Sequence, residues 1–177
     1  GGLGFIGSAL IRRLLTTSNC MIFNLDKIGY SSDSISIKYI LDKTKNKNER
    51  YRFIKIDLSI AKQVRETIEG IDPDIVMHLA AESHVDRSID NADIFIASNI
   101  NGTYNLLTSV GDHYNKLKDI WKKNFRFHHI STDEVYGSLG ENGTFNEETN
   151  YDPRSPYSAS KAASDHLVSA WHHTYDL

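Results

Sequence analysis

Short apolar runs alternate with segments of helical periodicity along this chain, and this alternation limits its fold most strongly. Strands separated by helices form a parallel sheet with helices on its faces, because parallel strands need a crossover connection. The strand candidates cover residues 21–26, 51–57, 74–81 and 125–131, and the helix candidates cover 5–15, 61–70, 92–118 and 156–175. This order predicts an α/β fold, a doubly wound parallel sheet of the Rossmann type.

Several local features add detail to this prediction. The run DIVMHLAA at 74–81 is almost continuously apolar, which is typical of a strand buried on both faces. Gly70 should end the helix before that strand, and the polar stretch 29–50 should be a loop with one short helix. The single cysteine, Cys20, excludes an internal disulfide framework, and we expect it to be a small buried core residue.

Composition excludes several classes of protein. The 177 residues suit one domain, and a net charge of −3 without a long basic run argues against a nucleic acid partner. No run approaches the roughly 18 apolar residues of a membrane span. No Cys, His and Asp cluster has the ligand spacing of a zinc site, so we expect no metal. A cytoplasmic enzyme or binding module remains.

The first residues form a glycine loop, Gly1-x-x-Gly4-x-x-Gly7, that opens a helix. Glycines allow a tight turn and close approach of the backbone to a pyrophosphate at the helix N-terminus. Asp26 ends the next strand about 20 residues on, where an acid can accept hydrogen bonds from the adenosine ribose and disfavours a 2′-phosphate. Together they predict NAD rather than NADP. Asp57, which closes the following strand, is either an adenine contact or a helix N-cap.

Tyr157 and Lys161 lie four residues apart at the start of a predicted helix, which places both side chains on one face. Tyrosine has a pKa near 10, so a tyrosine base working at neutral pH needs about three pKa units of help, roughly 4 kcal/mol. A nearby lysine cation and the positive ring of an oxidised nicotinamide supply help of the right sign. With the glycine loop and Asp26, the pair predicts hydride transfer from an alcohol, the tyrosinate taking the hydroxyl proton.

A hydroxyl and two acids, Thr132, Asp133 and Glu134, follow the strand at 125–131 within STDEVYG. When a bound substrate excludes water from two neighbouring carboxylates, their pKa values separate, which favours one neutral acid and one ionised base. Neighbours on a regular strand point to opposite faces, so the pair must lie where the strand breaks into a loop. Gly137 permits that break. Taken alone, the stretch could also be only a polar turn.

The blocks GGLGFIGS, NLDK, MHLAAESHVDRSI, FHHISTDEVYG and SPYSASKAASDHLV resemble the extended short-chain dehydrogenase/reductase family, and within it the dTDP-glucose 4,6-dehydratases. They run through the whole chain in the family's order. The resemblance implies NAD-dependent dehydration of dTDP-glucose to its 4-keto-6-deoxy product. Tyr157 would serve oxidation at C4, Glu134 would remove the C5 proton, and Asp133 would protonate the departing C6 hydroxyl before a hydride returns to C6. Thr132 would hydrogen-bond the sugar near O4.

The resemblance also assigns an NAD site, in which Ser83 would contact both cofactor and substrate. Gly29 and Ser98 stand where the family pattern leads us to expect threonine. The residues assigned to NAD are Gly1, Gly4, Phe5, Ile6, Gly7, Asp26, Lys27, Ile28, Gly29, Asp57, Leu58, Leu79, Ala80, Ala81, Glu82, Ser83, Ser98, Tyr157 and Lys161.

The chain opens directly on the glycine loop and stops just after a helix, at Leu177. We therefore expect residues 1–177 to be a Rossmann-type NAD-binding domain truncated at both ends, without its first strand and its C-terminal substrate domain. The resemblance implies a homodimer formed through the long helices at 92–118 and 156–175. Two alternatives stay open: a UDP-sugar 4-epimerase or another enzyme of the extended family, and an inactive truncated NAD-binding module.

Overall fold

A computed structural model describes residues 1–43 and 48–177, which form two compact units, Gly1–Asp57 and Leu58–Leu177. The first unit contains helix α1 (Phe5–Thr17), strand β1 (Ile22–Asp26), helix α2 (Ile35–Lys43), a 3₁₀ turn (Asn48–Arg50) and strand β2 (Tyr51–Lys55). The short helix expected within 29–50 is therefore present as α2. Residues 44–47 of that predicted loop lie outside the described residues.

A parallel strand pair and two helices build the first unit. Strands β1 and β2 are parallel, with Ile22 opposite Tyr51 and Asp26 opposite Lys55. Apolar side chains of the loop, of both helices and of β1 meet in one buried cluster, because their spacing places them on the faces turned toward the sheet. Its buried members are Leu3, Ile11, Leu15, Ile22 and Ile37. This packing holds the glycine loop beside the carboxyl end of β1.

The second unit carries the remaining elements and a second parallel pair. Strands β3 and β4 are parallel, with Ile75 opposite Arg126 and His78 opposite His129. In chain order the unit contains α3 (Ala61–Ile71), β3 (Ile75–His78), α4 (Val85–Asp90), α5 (Asp93–Phe95), a π-helical segment (Ile96–Asn101), α6 (Gly102–Lys116), α7 (Asp119–Lys122), β4 (Arg126–His129), a 3₁₀ turn (Asp133–Tyr136) and α8 (Pro156–Tyr175).

Helix α8 matches its predicted range, and its sequence explains both of its ends. The Ser155 hydroxyl accepts a hydrogen bond from the Ser158 amide, Ser158 returns the bond to the Ser155 amide, and Pro156 occupies the first turn. Asp176 ends the helix in the left-handed conformation, at φ 56°. Small side chains, among them Ser160 and Ser164, are fully buried and allow close approach of neighbouring helices. The helix therefore holds Tyr157 and Lys161 in fixed positions.

The predicted fold class is confirmed: parallel strands alternate with helices throughout the described residues. The strands form two separate pairs, β1–β2 and β3–β4, rather than one sheet.

Three local predictions were wrong. The run at 74–81 is a strand only over Ile75–His78, and it is not buried on both faces, since Ile75 is 60% exposed and only His78 is fully buried. Gly70 lies within the last turn of α3, and Asp72 ends the helix instead at φ 53°, a conformation that Asp tolerates. Cys20 is exposed, since it follows the end of α1 in the connection to β1.

Candidate active site

The glycine loop presents unpartnered backbone donors at the start of α1. Gly4 is the N-cap, no side chain caps the helix, and its first turn carries no acid. The first amides of such a helix attract an anion. A Cβ on Gly7 would lie 2.3 Å from the Gly1 carbonyl oxygen, so the turn and helix can approach only with glycine there. Phe5 and Ile6 are exposed beside the loop. These residues fit a pyrophosphate.

Sequence reasoning missed Gly2. A Cβ at Gly2 would lie 2.1 Å from Oδ1 of the buried Asn24 on β1, so only glycine fits between loop and strand. The signal was present in the sequence: Gly2-x-Gly4-x-x-Gly7 has the spacing of dinucleotide-binding loops. Counting the pattern from Gly1 instead gave a first gap one residue wider, and Gly2 was therefore overlooked.

Asp26 is buried at the end of β1 and its carboxylate faces the glycine loop. Its Oδ2 accepts a hydrogen bond from the Leu3 amide (3.0 Å), and its Oδ1 accepts bonds from the Ile28 amide (2.8 Å) and the Ser32 hydroxyl (3.1 Å). A carboxylate has about four lone-pair sites, so it can still accept a bond from a ligand. Its role toward ribose stays a prediction.

Ile28, next in the predicted NAD segment, adopts φ 61°. This left-handed conformation is a strained one for a β-branched residue. Lys27 and Gly29 on either side are half-buried, and the Ile28 side chain is exposed.

The turn that carries the two acids forms as predicted. Strand β4 ends at His129, and Thr132 caps the 3₁₀ turn by accepting a hydrogen bond from the Glu134 amide (3.3 Å). The turn presents the carboxylates of both Asp133 and Glu134 to solvent. Gly137 then leaves the turn at φ 92°, as the predicted break requires.

Tyr157 lies against this turn. The turn packs against α8, and the Tyr157 side chain is buried edge-on against Phe95, with ring centroids 6.3 Å apart. Burial raises the pKa of Tyr157, Thr132 acts against this, and the charges of Glu134, Asp133 and Asp165 raise the pKa further. The structure therefore brings four of the five predicted catalytic residues together, with Thr132, Asp133 and Glu134 near a Tyr157 phenol that is protonated at rest.

Lys161 lies one turn further along α8. The sequence suggested only that its ammonium assists Tyr157, whereas in the structure the ammonium contacts residues at the end of β4. Its Nζ donates to the Ile130 carbonyl oxygen (2.6 Å) and lies 3.4 Å from Nε2 of His129. Burial lowers the pKa of Lys161, and the charge of Asp165 acts against that shift. His129 and Asp165 were not among the predicted site residues. The sequence did indicate Asp165, because it follows Lys161 by four residues and therefore lies on the same face of the helix.

The loop after β3 carries five predicted NAD residues, 79–83. Glu82 is buried, and both of its backbone groups are bonded to the side chain of Asn99: the Glu82 amide donates to Oδ1 (2.8 Å) and its carbonyl accepts from Nδ2 (2.9 Å). Ser83 is exposed, and Ser98 is half-buried in the π-helical segment. Asn99, which the sequence did not single out, also donates to Ser160 Oγ on α8 (2.8 Å).

A groove of about 870 Å³ adjoins the acid turn, and Thr132 and Asp133 form part of its wall. Its other lining residues are Arg126, Phe127, His128, His129, Ser131, Tyr136, Tyr151, Asp165, Val168, Ser169 and His172. Over residues 1–43 and 48–177 we find no group of three or more His, Cys, Asp or Glu side chains placed to hold a metal ion. No helix in that part of the chain combines the length and apolar character needed to cross a membrane.

A family model described as GDP-mannose 4,6 dehydratase matches residues 1–177, the whole chain. The chain belongs to this family. A Sinorhizobium fredii relative named "Probable dTDP-glucose 4,6-dehydratase" is 48% identical over 177 residues, which are 100% of this chain and 49% of the relative. The resemblance stated from the sequence blocks is thereby confirmed.

Solved structures of the family share this fold. A Streptomyces venezuelae dTDP-glucose 4,6-dehydratase with NAD bound is 37% identical, with a TM-score of 0.83, and the match covers 100% of this chain and 51% of that one. A Thermus thermophilus UDP-glucose 4-epimerase in complex with NAD is 26% identical, with a TM-score of 0.80, over 100% and 50% of the two chains. The chain spans about half the length of the curated relatives it matches.

Proposed function

We propose that this chain supplies the NAD-binding and catalytic residues of a nucleotide-sugar 4,6-dehydratase that acts on dTDP-glucose. One observation carries the proposal: the turn with Asp133 and Glu134 packs against α8, whose first turn carries Tyr157. A phenol alone serves an alcohol oxidation, whereas two carboxylates beside it also serve removal of water. The 48% identity to a relative named as such a dehydratase supports the choice.

NAD would be held by the start of α1, with its pyrophosphate at the amides after Gly4 and its adenosine ribose at Asp26. When bound, NAD supplies the acceptor and later the donor of the hydride that the reaction needs. The uncapped helix start and the turn that admits only glycine at Gly7 support this placement. The Streptomyces venezuelae relative, which has NAD bound, supports it as well.

Tyr157 would take the proton of the sugar C4 hydroxyl. Because burial and nearby carboxylates raise its pKa, the phenol must be helped to ionise at the moment of reaction. Thr132 acts to lower the pKa of Tyr157 and so favours the ionised form. The Lys161 ammonium, one turn along the same helix face, would add a favourable charge. Thr132 is also placed to orient the sugar hydroxyl next to the phenol.

Glu134 and Asp133 would perform the elimination. The ketone at C4 acidifies the C5 proton, which Glu134 would remove, while Asp133 would donate a proton to the departing C6 hydroxyl. Both carboxylates are exposed in this structure. Their opposite protonation states would therefore arise when a bound sugar excludes water and crowds them, since crowded carboxylates cannot both ionise.

We also propose that the active protein is longer than this chain, is cytoplasmic and is a homodimer. The curated relatives are about twice as long, and a C-terminal substrate domain would complete the site. Ile96 and Tyr104, in the helical region expected at the dimer interface, are exposed. Light scattering of the full-length protein would test the dimer.

The decisive experiment incubates the full-length protein with dTDP-glucose and NAD and analyses the nucleotide sugars formed. We expect the 4-keto-6-deoxy product. Recovery of dTDP-galactose would instead identify an epimerase, the alternative kept open by the likeness to the Thermus thermophilus enzyme. NAD binding without any product would identify an inactive binding module.

A further inference from the structure

A lysine, a histidine and an aspartate form a nearly buried chain between α8 and the end of β4. Lys161 is 4% exposed, and its Nζ lies 3.4 Å from Nε2 of His129. The same Nε2 lies 3.0 Å from Oδ1 of Asp165. The side chains of His129 and Asp165 are 7% and 11% exposed. The imidazole thus stands between a cation and an anion in a region from which water is largely excluded.

The hydrogen bonds determine where the protons lie. Asp165 also accepts bonds from Ser131 Oγ (2.5 Å) and the Tyr151 hydroxyl (3.2 Å). Burial raises the pKa of Asp165, but hydrogen bonds from His129 and Ser131 and the charge of Lys161 outweigh burial and lower it. Asp165 is therefore ionised and accepts the His129 Nε2 proton. The other ring nitrogen, Nδ1, is buried without a hydrogen-bond partner, which disfavours a proton there. His129 is neutral.

We infer that the carboxylate charge of Asp165, across the ring of His129, makes it the counter-ion of Lys161 and keeps the lysine charged at its place on α8. The inference rests on the proposed function, because the lysine charge matters there for ionisation of the tyrosine. Asp165 is thus a positioning residue rather than a catalytic one. Tyr157, Lys161 and Asp165 follow one another at four-residue spacing on one face of α8.

The charge of Asp165 decides at which pH Lys161 loses its proton. Burial lowers the pKa of Lys161, and Asp165 supplies the opposing charge. The other titratable groups shown to interact with the ammonium are His78 on β3 and His129 on β4; Tyr157 lies one turn earlier on α8. Burial lowers the pKa of His78 far below its ordinary value, so it adds no positive charge near neutral pH. Removing the Asp165 charge should therefore leave a buried lysine that deprotonates more readily.

The test compares Asp165→Asn with Tyr151→Phe in the full-length protein. Asn keeps the size of Asp and an oxygen acceptor for His129 but removes the charge, whereas Tyr151→Phe removes one hydrogen bond to Asp165 and keeps the charge. We expect Asp165→Asn to move the alkaline limb of the kcat/KM profile down by about one pH unit. Tyr151→Phe and the surface control Asp112→Asn should leave that limb in place. A uniform loss of kcat/KM in Asp165→Asn, without movement of the limb, would indicate a purely structural role and overturn the inference.

A second readout needs neither NAD nor turnover. Acetic anhydride reacts only with neutral amines, and mass spectrometry of the peptide containing Lys161, relative to the exposed Lys118, reports the neutral fraction. We expect labelling of Lys161 at fixed pH to rise about tenfold in Asp165→Asn, the equivalent of one pKa unit. Equal labelling in wild type and Asp165→Asn would contradict the inference, even if the protein had no dehydratase activity.

His129→Gln is a second variant, which keeps the inference testable if Asp165→Asn does not fold. Gln retains a donor toward Asp165, and the carboxylate charge remains, so labelling of Lys161 should stay near the wild-type level. A rise as large as the one expected for Asp165→Asn would show that the ring, rather than the charge, controls the lysine, and would overturn the inference.

Discussion

Replacing Gly137 by alanine should both destabilise the protein and displace the acid turn. Gly137 adopts φ 92° and ψ −136° directly after the turn. An added Cβ would lie 2.7 Å from the Asp152 carbonyl oxygen and 2.9 Å from its Oδ2. The backbone of Asp152 cannot easily move away, because its amide donates to the Val135 carbonyl oxygen (2.9 Å).

Three terms set the size of the effect. The backbone conformation is one that alanine rarely adopts, which costs about 1–3 kcal/mol. The clash resembles the overpacking of a filled interior and costs about 1–3 kcal/mol more. The reduced freedom of the unfolded chain returns about 0.4–1 kcal/mol. We expect a net loss of about 3 kcal/mol for Gly137→Ala. Any backbone shift that relieves the clash moves Val135, and with it the neighbouring acids.

Urea unfolding and steady-state kinetics of the full-length protein measure the two effects. The control is Gly140→Ala in the same loop, where an added Cβ meets nothing within 4 Å. At a temperature where both variants are folded, a displacement of about 1 Å in the turn should lower kcat about 100-fold in Gly137→Ala. A Gly137→Ala protein as stable and as active as Gly140→Ala would refute this account of the turn.

Three further predictions concern single side chains. Glu134→Gln should keep oxidation at C4 but lower dehydration about 100-fold or more, as loss of a general base does, with the exposed Glu141→Gln as control; an unchanged dehydration rate would remove Glu134 from its role. Ile28→Asn should raise the free energy of unfolding by about 1 kcal/mol, because Asn tolerates φ 61° better than a β-branched residue; a loss on urea unfolding would contradict the strain. Burial lowers the pKa of His78, so below about pH 6.5 the unfolded state takes up a proton at His78 and the folded state does not. The free energy of unfolding should therefore decrease by up to about 1.4 kcal/mol for each unit by which the pH is lowered in that range. His78→Gln should lose less stability over that interval, and an identical loss would show that His78 does not contribute.

Much of the fold and of the acid turn was predictable because its signals are local. Ser155, Pro156 and the following stripe mark the start of α8, which therefore has its predicted bounds. Adjacent acids cannot both face one side of a strand, so the strand must break before Asp133 and Glu134, and the structure has a 3₁₀ turn there. The glycine loop and its helix follow in the same way from backbone sterics.

The environment of Lys161 was not predictable from spacing alone. His129 is distant along the chain and reaches the lysine only because β4 packs beneath α8. Sequence also cannot show that burial and nearby carboxylates raise the pKa of Tyr157, since this depends on how the turn folds back onto the helix. Two other residues could have been predicted. The spacing of the glycine loop indicates Gly2, and the four-residue spacing from Lys161 indicates Asp165.

The most direct test of the central claim follows a hydrogen label through the reaction. The full-length protein is given dTDP-glucose that carries deuterium at C4, and the product is analysed by NMR and mass spectrometry. A 4,6-dehydratase that uses Tyr157, Asp133 and Glu134 as described should yield a 4-keto-6-deoxy sugar with deuterium at C6. Deuterium retained at C4 of a galactose product, or lost to solvent, would contradict the account.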